Sequence, residues 1–263
     1  HPYQWNTIGK DIEHIALANM EEIKRFFYQY YRPNNAILSV TGNINTEQTL
    51  SWVKKWFGEI PMGKQQITPL PSEPSQTEKR FLEVERNVPY DFITIAFHTC
   101  KRSDKEFYAN SLLSDILSNG QSSRFQEILV NKKHIFSHIN SYLTESFDNG
   151  LFIINGIPSA GISLPTAENA IWEQLEELKT NLIQQEELQK VKNKVKTLLY
   201  FSELSIQEKA LSLCLFEAMD HAARINQEEK NYASVDANDM IKTSRAVFRK
   251  ENSSTIYYKA IKQ

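Results

Sequence analysis

The sequence predicts an α+β fold: a two-layer α/β sandwich with an antiparallel sheet under helices, preceded by the second half of a homologous domain. Three observations lead there. Short apolar runs of period two are interspersed with longer runs of helical period. A proline-rich stretch from Pro61 to Glu78 interrupts both. A helix–turn–strand pattern that begins near Asn19 returns faintly near Asp236, 217 residues later.

The first half-domain is expected over residues 1–62. Asn19-Met20-Glu21-Glu22 has the form of a capping box, in which Asn19 accepts from an orphan amide and Glu22 reaches back. Ile23, Phe26, Phe27, Tyr30 and Tyr31 then form one helical stripe, which Pro33 ends. Asn34-Asn35 turns the chain into Ala36–Val40, expected as a strand, closed by Thr41-Gly42-Asn43. A second helix from Thr46 carries Leu50, Val53, Trp56 and Phe57, with Gly58 at its C-terminal cap. The opening His1-Pro2-Tyr3, without methionine or leader, reads as the continuation of a domain whose earlier half lies upstream.

Residues 63–79 read as an extended linker, from Pro69, Pro71 and Pro74 interleaved with Gln65, Gln66, Ser72, Ser75 and Gln76. The complete domain is then expected over 80–263. Its strands fall at Phe81–Glu85, Phe92–Phe97, Ile135–Leu143 and Leu151–Ile157, the last two joined through Asp148-Asn149-Gly150. Ser103-Asp104-Lys105-Glu106 is a second box-like helix start, and Ser122-Ser123-Arg124 opens a short helix to Leu129. Three longer helices are expected near 166–180, 184–202 and 206–223, the last opened by Ser205. Asp236 to Met240 then repeats Asn19 to Ile23, and Phe248-Arg249 with Asn252 repeats Tyr31-Arg32 with Asn35.

Composition narrows the function classes. A net charge of −2 over 263 residues lacks the basic excess of a nucleic-acid-binding domain. Lys190, Lys192, Lys194 and Lys196 alternate with Leu188, Val191, Val195 and Leu198, which places the lysines on a solvated helix face. No apolar run approaches the ~20 residues of a membrane span. Two cysteines, Cys100 and Cys214, without CxxC spacing, suit a reducing compartment such as the cytoplasm.

The metal-ligand pairs weaken on inspection. His134 and His138 have i, i+4 spacing, but on an alternating strand that spacing spans ~13 Å, too far for two ligands of one zinc. His98 and Cys100 share a strand face without further ligands nearby. His14 reads as an exposed helix start, and His221 as a cation at a helix C-terminus. Glu173, Glu176 and Glu177 flank Leu175 and Leu178 and read as the wet side of a helix. Neither H-E-x-x-H nor H-x-x-E-H occurs.

The ordered set His1-Pro2-Tyr3…Ile8-Gly9, Tyr31-Arg32-Pro33-Asn34-Asn35-Ala36, Val40-Thr41-Gly42-Asn43, Ile116 to Phe125 and Asp148-Asn149-Gly150-Leu151-Phe152 resembles the pitrilysin/insulinase family of zinc metallopeptidases. The resemblance covers nearly the whole chain. It implies two homologous domains closing around a peptide chamber, with an inverted H-x-x-E-H helix and a later glutamate holding zinc upstream of the position that matches His1. In such a parent a zinc-bound water, activated by a glutamate, attacks the peptide bond. This chain would then be the non-catalytic chamber wall, with no metal of its own and no activity by itself. Its implied partners are an unfolded polypeptide substrate and the zinc-bearing half or a homologous subunit.

Two positions depart from the family pattern. Val130 and Ser137 stand where several members carry an arginine and a tyrosine that hold substrate and oxyanion. Valine offers no donor, and serine is too short to replace a tyrosine across a cleft. That leaves a second implication open, of an assembly or peptide-binding subunit beside an active chain. On the strand matching the chamber wall, Asn140 and Tyr142 alternate with Ile139 and Ser141 and are the expected substrate-binding residues.

Overall fold

The computed structural model describes residues 2–4, 8–64 and 71–261. His1 of the opening motif and Gln65, Gln66 and Pro69 of the expected linker lie outside the described residues. The chain divides into two compact units, His1–Pro74 with Ser202–Ile225, and Ser75–Phe201 with Asn226–Gln263.

The first unit opens with α1 (Glu13–Ala16), α2 (Met20–Tyr30) and α3 (Thr46–Phe57). The capping box forms as its sequence requires: Glu22 N donates to Asn19 Oδ1 at 2.9 Å, and Asn19 N donates to Glu22 Oε2 at 3.4 Å. After α2 the chain passes a 3₁₀ turn at Pro33–Asn35, where Asn35 Nδ2 donates to Tyr30 O at 2.9 Å. The expected strand Ala36–Val40 is corrected here. Its backbone is extended at Ala36 (φ −135°, ψ 142°), yet no ladder forms on it among the described residues. A strand is defined by a neighbour that takes its amides. Instead Cys214 Sγ donates to Ile37 O at 3.9 Å, and Thr41 Oγ1 donates to Ile206 O at 2.9 Å. Gly58 does cap α3, but with right-handed backbone at φ −67° rather than the left-handed turn that favours glycine.

The second unit holds β1 (Arg80–Arg86), β2 (Phe92–His98), α4 (Glu106–Ser118), a π-helical turn (Phe125–Lys132), β3 (Phe136–Leu143), β4 (Leu151–Pro158), α5 (Leu164–Thr180) and α6 (Gln185–Ser202). Next comes α7 (Ile206–Met219), which packs as part of the first unit although the sequence groups it with the second domain. The second unit ends with α8 (Glu228–Ser234), α9 (Ala237–Val247) and β5 (Ser253–Ala260).

The five strands run in the order β1-β5-β2-β4-β3. The sheet is mixed rather than wholly antiparallel: β1 and β5 are parallel, and the remaining pairs are antiparallel. The last strand enters between the first two, so β1 and β2 are not a hairpin, and that order cannot be read from local alternation.

Strand alternation sends Ile93, Ile95 and Phe97 of β2 and Phe152 and Ile154 of β4 to one face. There they meet Leu112, Leu113, Ile116 and Leu117 of α4 and Ile171, Leu175 and Leu178 of α5, all fully buried. Each such side chain contributes about 1.5–3 kcal/mol. Two carboxylates are buried in this unit, Glu168 and Glu228. Glu168 of α5 accepts from Lys79 Nζ at 2.6 Å, Trp172 Nε1 at 3.1 Å and Tyr257 Oη at 2.5 Å. Upstream, Gln76 is buried and donates to Ser253 O at 2.7 Å, so the end of the expected linker is docked on β5.

Two local expectations also change. No capping box forms at Ser103: α4 begins at Glu106 with Lys105 as its cap, and Asp104 instead accepts from Lys101 N at 3.0 Å. The lysines of α6 are exposed as expected, yet each ammonium is engaged. Lys190 and Lys194 donate to Ser122 O and Asn119 O, both at 3.1 Å. Lys192 donates to Ala233 O at 2.8 Å, and Lys196 pairs with Glu229 at 2.6 Å. The i, i+4 pairs lie along two edges of the helix and strap it to segments on either side.

Candidate peptide-holding surface

Strand β3 is an edge: it pairs with β4 alone, through Asn140 opposite Asn155 and Tyr142 opposite Ile153. Ile139 and Ser141 are buried toward the helices, whereas Asn140 is half-buried and Tyr142 exposed on the other face. The two residues expected to hold substrate are therefore brought together on one face, at the rim of the sheet. They line, with Asp115, Ser118 and Asn119 of α4 and its C-cap, a cleft of about 360 Å³ along the free edge. Burial raises the Asp115 carboxyl above its ordinary range, against the opposing pull of the Asn119 amide and the Lys194 ammonium. Asn140 Oδ1 is buried and meets no donor among the described residues.

The edge itself is partly closed. Ser141 N donates to Ser118 Oγ at 2.8 Å, and Ser118 Oγ donates to Ser141 O at 3.1 Å. One hydroxyl thus satisfies both outward backbone groups of Ser141, the positions an added strand would use. A peptide held at Asn140 and Tyr142 would meet their side chains rather than extend the ladder at Ser141.

The face also gathers residues that sequence reasoning passed over. Thr94 of β2 donates from Oγ1 to Asn155 Oδ1 at 2.9 Å, and Asn155 is the register partner of Asn140. A polar row Thr94–Asn155–Asn140 therefore crosses three strands. Each residue shows only as one polar position in an alternating run, and strand order alone sets them side by side.

The departures from the family pattern are structurally committed elsewhere. Val130 packs against the core from the π-helical turn, and Ser137 donates to Ile157 O at 3.1 Å. That turn is fixed by Arg124, whose Nε and Nη2 donate to the two oxygens of Glu187 at 3.0 and 2.8 Å.

The histidines stand apart. His134 is exposed in a left-handed conformation (φ 52°) ahead of β3, and His138 is exposed on the strand. His14 is exposed on α1. His221 follows α7 and accepts from Ala223 N at Nδ1, at 3.0 Å. Cys100 lies beyond the end of β2, and burial pushes its thiol up. Among the described residues no three His, Cys, Asp or Glu side chains gather as a metal site.

The chain is similar to known proteins. The family described as Peptidase M16 inactive domain matches residues 18–195. Zinc protease PqqE of Helicobacter pylori is 26% identical over 262 residues, covering 98% of this chain and 59% of that protein. A crystal structure of a protease from Helicobacter pylori superposes with a TM-score of 0.90 at 26% identity, over 98% of this chain and 63% of that one. A peptidase M16 inactive domain from Pseudomonas fluorescens superposes at 0.87 with 16% identity, over 100% of this chain and 62% of that one. The chain thus spans about six-tenths of the length of these relatives.

Proposed function

Because the chain belongs to the peptidase M16 inactive domain family, we propose that it is the non-catalytic wall of a peptide-enclosing chamber in a zinc-dependent endopeptidase. In this reading residues 1–62 are the latter part of the catalytic domain, 63–79 the linker and 80–263 the inactive domain. Asn140 and Tyr142 hold polypeptide substrate, and zinc belongs to another portion of the parent protein. The free thiols of Cys100 and Cys214 are compatible with a reducing compartment such as the cytoplasm.

One observation carries the reading. The helix α9 and its counterpart α2 share the same length, cap and exit turn, yet their apolar faces have opposite fates. Met240, Thr243, Ser244, Val247 and Phe248 are at most 7% exposed, with α9 packed on α4 and α5. The residues 217 positions earlier, Ile23, Phe26, Phe27, Tyr30 and Tyr31, are 46–64% exposed. An aromatic stripe of this width left open to water is a surface awaiting a partner layer. Its repeat supplies the identity of that layer: helices on a sheet, arranged as α4 and α5 are. A zinc-bearing half of the same fold meets that description.

Mixing the chain with the zinc-bearing portion of its parent protein should restore chelator-sensitive hydrolysis of an unstructured peptide, while the chain alone should cleave nothing. Cleavage by the chain alone, or cleavage by the other portion undiminished without it, overturns the proposal. The non-donating Val130 and the engaged Ser137 hydroxyl favour a second reading, an assembly subunit that binds peptide beside an active chain. Peptide binding without any restored hydrolysis would support it.

A further inference from the structure

We infer that the open face of the second unit's sheet selects polypeptides by one bulky apolar side chain, seated in a pocket under the turn between β1 and β2. The inference rests on the peptide-holding reading above and names what that surface prefers. The pocket measures about 420 Å³, within the range of small ligand sites. Val88 and Tyr90 of the turn form one side, and Phe92, Ile157, Ile256 and Tyr258 of three adjacent strands form the floor. No charged side chain lines it. A carboxylate or ammonium entering there would lose water and gain no partner, whereas an aromatic or branched side chain would lose only apolar contact with water.

A polar row links the pocket to the proposed holding residues. Thr94 stands at its edge and begins the polar row through Asn155 to Asn140. Two strand spacings separate Thr94 from Asn140, about 10 Å, which an extended chain covers in about three residues. A polypeptide crossing the strands would therefore seat one side chain beneath Tyr90 while its backbone, about three residues on, passes Asn140 and Tyr142. Strand addition is not needed for this pose, which suits an edge closed at Ser141 by Ser118. The occupant is thus an unfolded polypeptide with an exposed phenylalanine, leucine or similar residue.

The test uses the full chain and two fluorescein-labelled unstructured 12-residue peptides that differ at one central position, phenylalanine against aspartate. Anisotropy titration should show the phenylalanine peptide binding at least about tenfold more tightly, as burial of one large apolar side chain predicts. The variants Ile256→Asp and Tyr90→Asp should each reduce that ratio to less than about twofold. Tyr90 is exposed on the turn, so its replacement leaves the core intact and guards against misfolding of the strand variant. Equal binding of the two peptides, or selectivity unchanged in Tyr90→Asp, overturns the pocket while leaving the peptide-holding reading in place. Binding of neither peptide overturns both.

Discussion

Asn35 and Asn252, 217 residues apart, make the same hydrogen bond: each donates Nδ2 at 2.9 Å to the carbonyl five residues before it, Tyr30 O and Val247 O. Each closes a 3₁₀ turn, Pro33–Asn35 and Lys250–Asn252, behind an 11-residue helix begun by a capping box. The helix terminus leaves carbonyls without their usual amide partner four residues on, and the asparagine amide donates to one of them. The faint sequence echo is therefore a structural repeat, carried by caps and turns rather than by the apolar residues between them.

The two amides differ in what surrounds them. Asn252 is buried and also donates to His98 O at 2.9 Å, whereas Asn35 is exposed. Asn252→Ala should destabilise the second unit by about 1–3 kcal/mol, because Val247 O and His98 O both lose the buried asparagine amide and Val247 O keeps only its bond from Arg249 N. Asn35→Ala should leave that unit unchanged. Urea unfolding followed by Trp172, the second unit's single tryptophan, reads the difference; an equal effect of both substitutions would count against it.

A parallel contrast holds in the helix of each repeat. Met240→Ala should cost about 2–5 kcal/mol, as for a fully buried core side chain. Ile23→Ala, at the equivalent exposed position, should cost little in the chain alone. In the proposed assembly, adding the zinc-bearing portion should make Ile23→Ala costly as well, measured as weakened association. Association indifferent to Ile23 would mean that the α2 face is not where that portion docks.

The edge of β3 depends on one hydroxyl. Ser118→Ala removes the group that occupies both Ser141 N and Ser141 O, exposing an open ladder position. Sedimentation velocity should then show a larger share of dimers and higher species than the unsubstituted chain shows at equal concentration. Identical sedimentation of the two proteins would show that the edge is protected by other means.

Glu168 sets an acid limit on stability. Burial works to raise its carboxyl, but the hydrogen bonds from Lys79, Tyr257 and Trp172 outweigh it and hold the group below its ordinary 4.5. Its contribution is therefore present above about pH 4.5 and lost as pH falls through the lower value of the folded state. The stability advantage of the unsubstituted chain over Glu168→Gln should be constant from pH 6 to 7 and shrink steadily toward pH 3. A gap that widens on acidification would reverse the assigned sign.

Much of the architecture was legible because it is written in short-range chemistry. The Asn19 and Asp236 boxes, the stripe of α2, the period of β2 and β4 and the caps of α3 and α7 each depend on residues within one or two turns. The expectations that changed depended on partners. Ala36–Val40 has strand composition but no paired neighbour, Ser103 lost its box to a bond between Asp104 and Lys101, and the α6 lysines found acceptors up to 75 residues away. Asn140 and Tyr142 could be singled out by alternation and family resemblance, but their row mates Asn155 and Thr94 could not.

The sequence by itself determined the family, the starts of α2, α3, α7 and α9 and the inward set of β2 and β4, since periodicity and capping act over a few residues. Tertiary structure alone decided the order β1-β5-β2-β4-β3, the parallel pair at its edge and the polar row leading to an apolar pocket. It also decided that one of two matching helix faces lies buried while the other stays open. Those outcomes depend on which distant segments exclude water together, and that is a property of the packed chain rather than of any stretch within it.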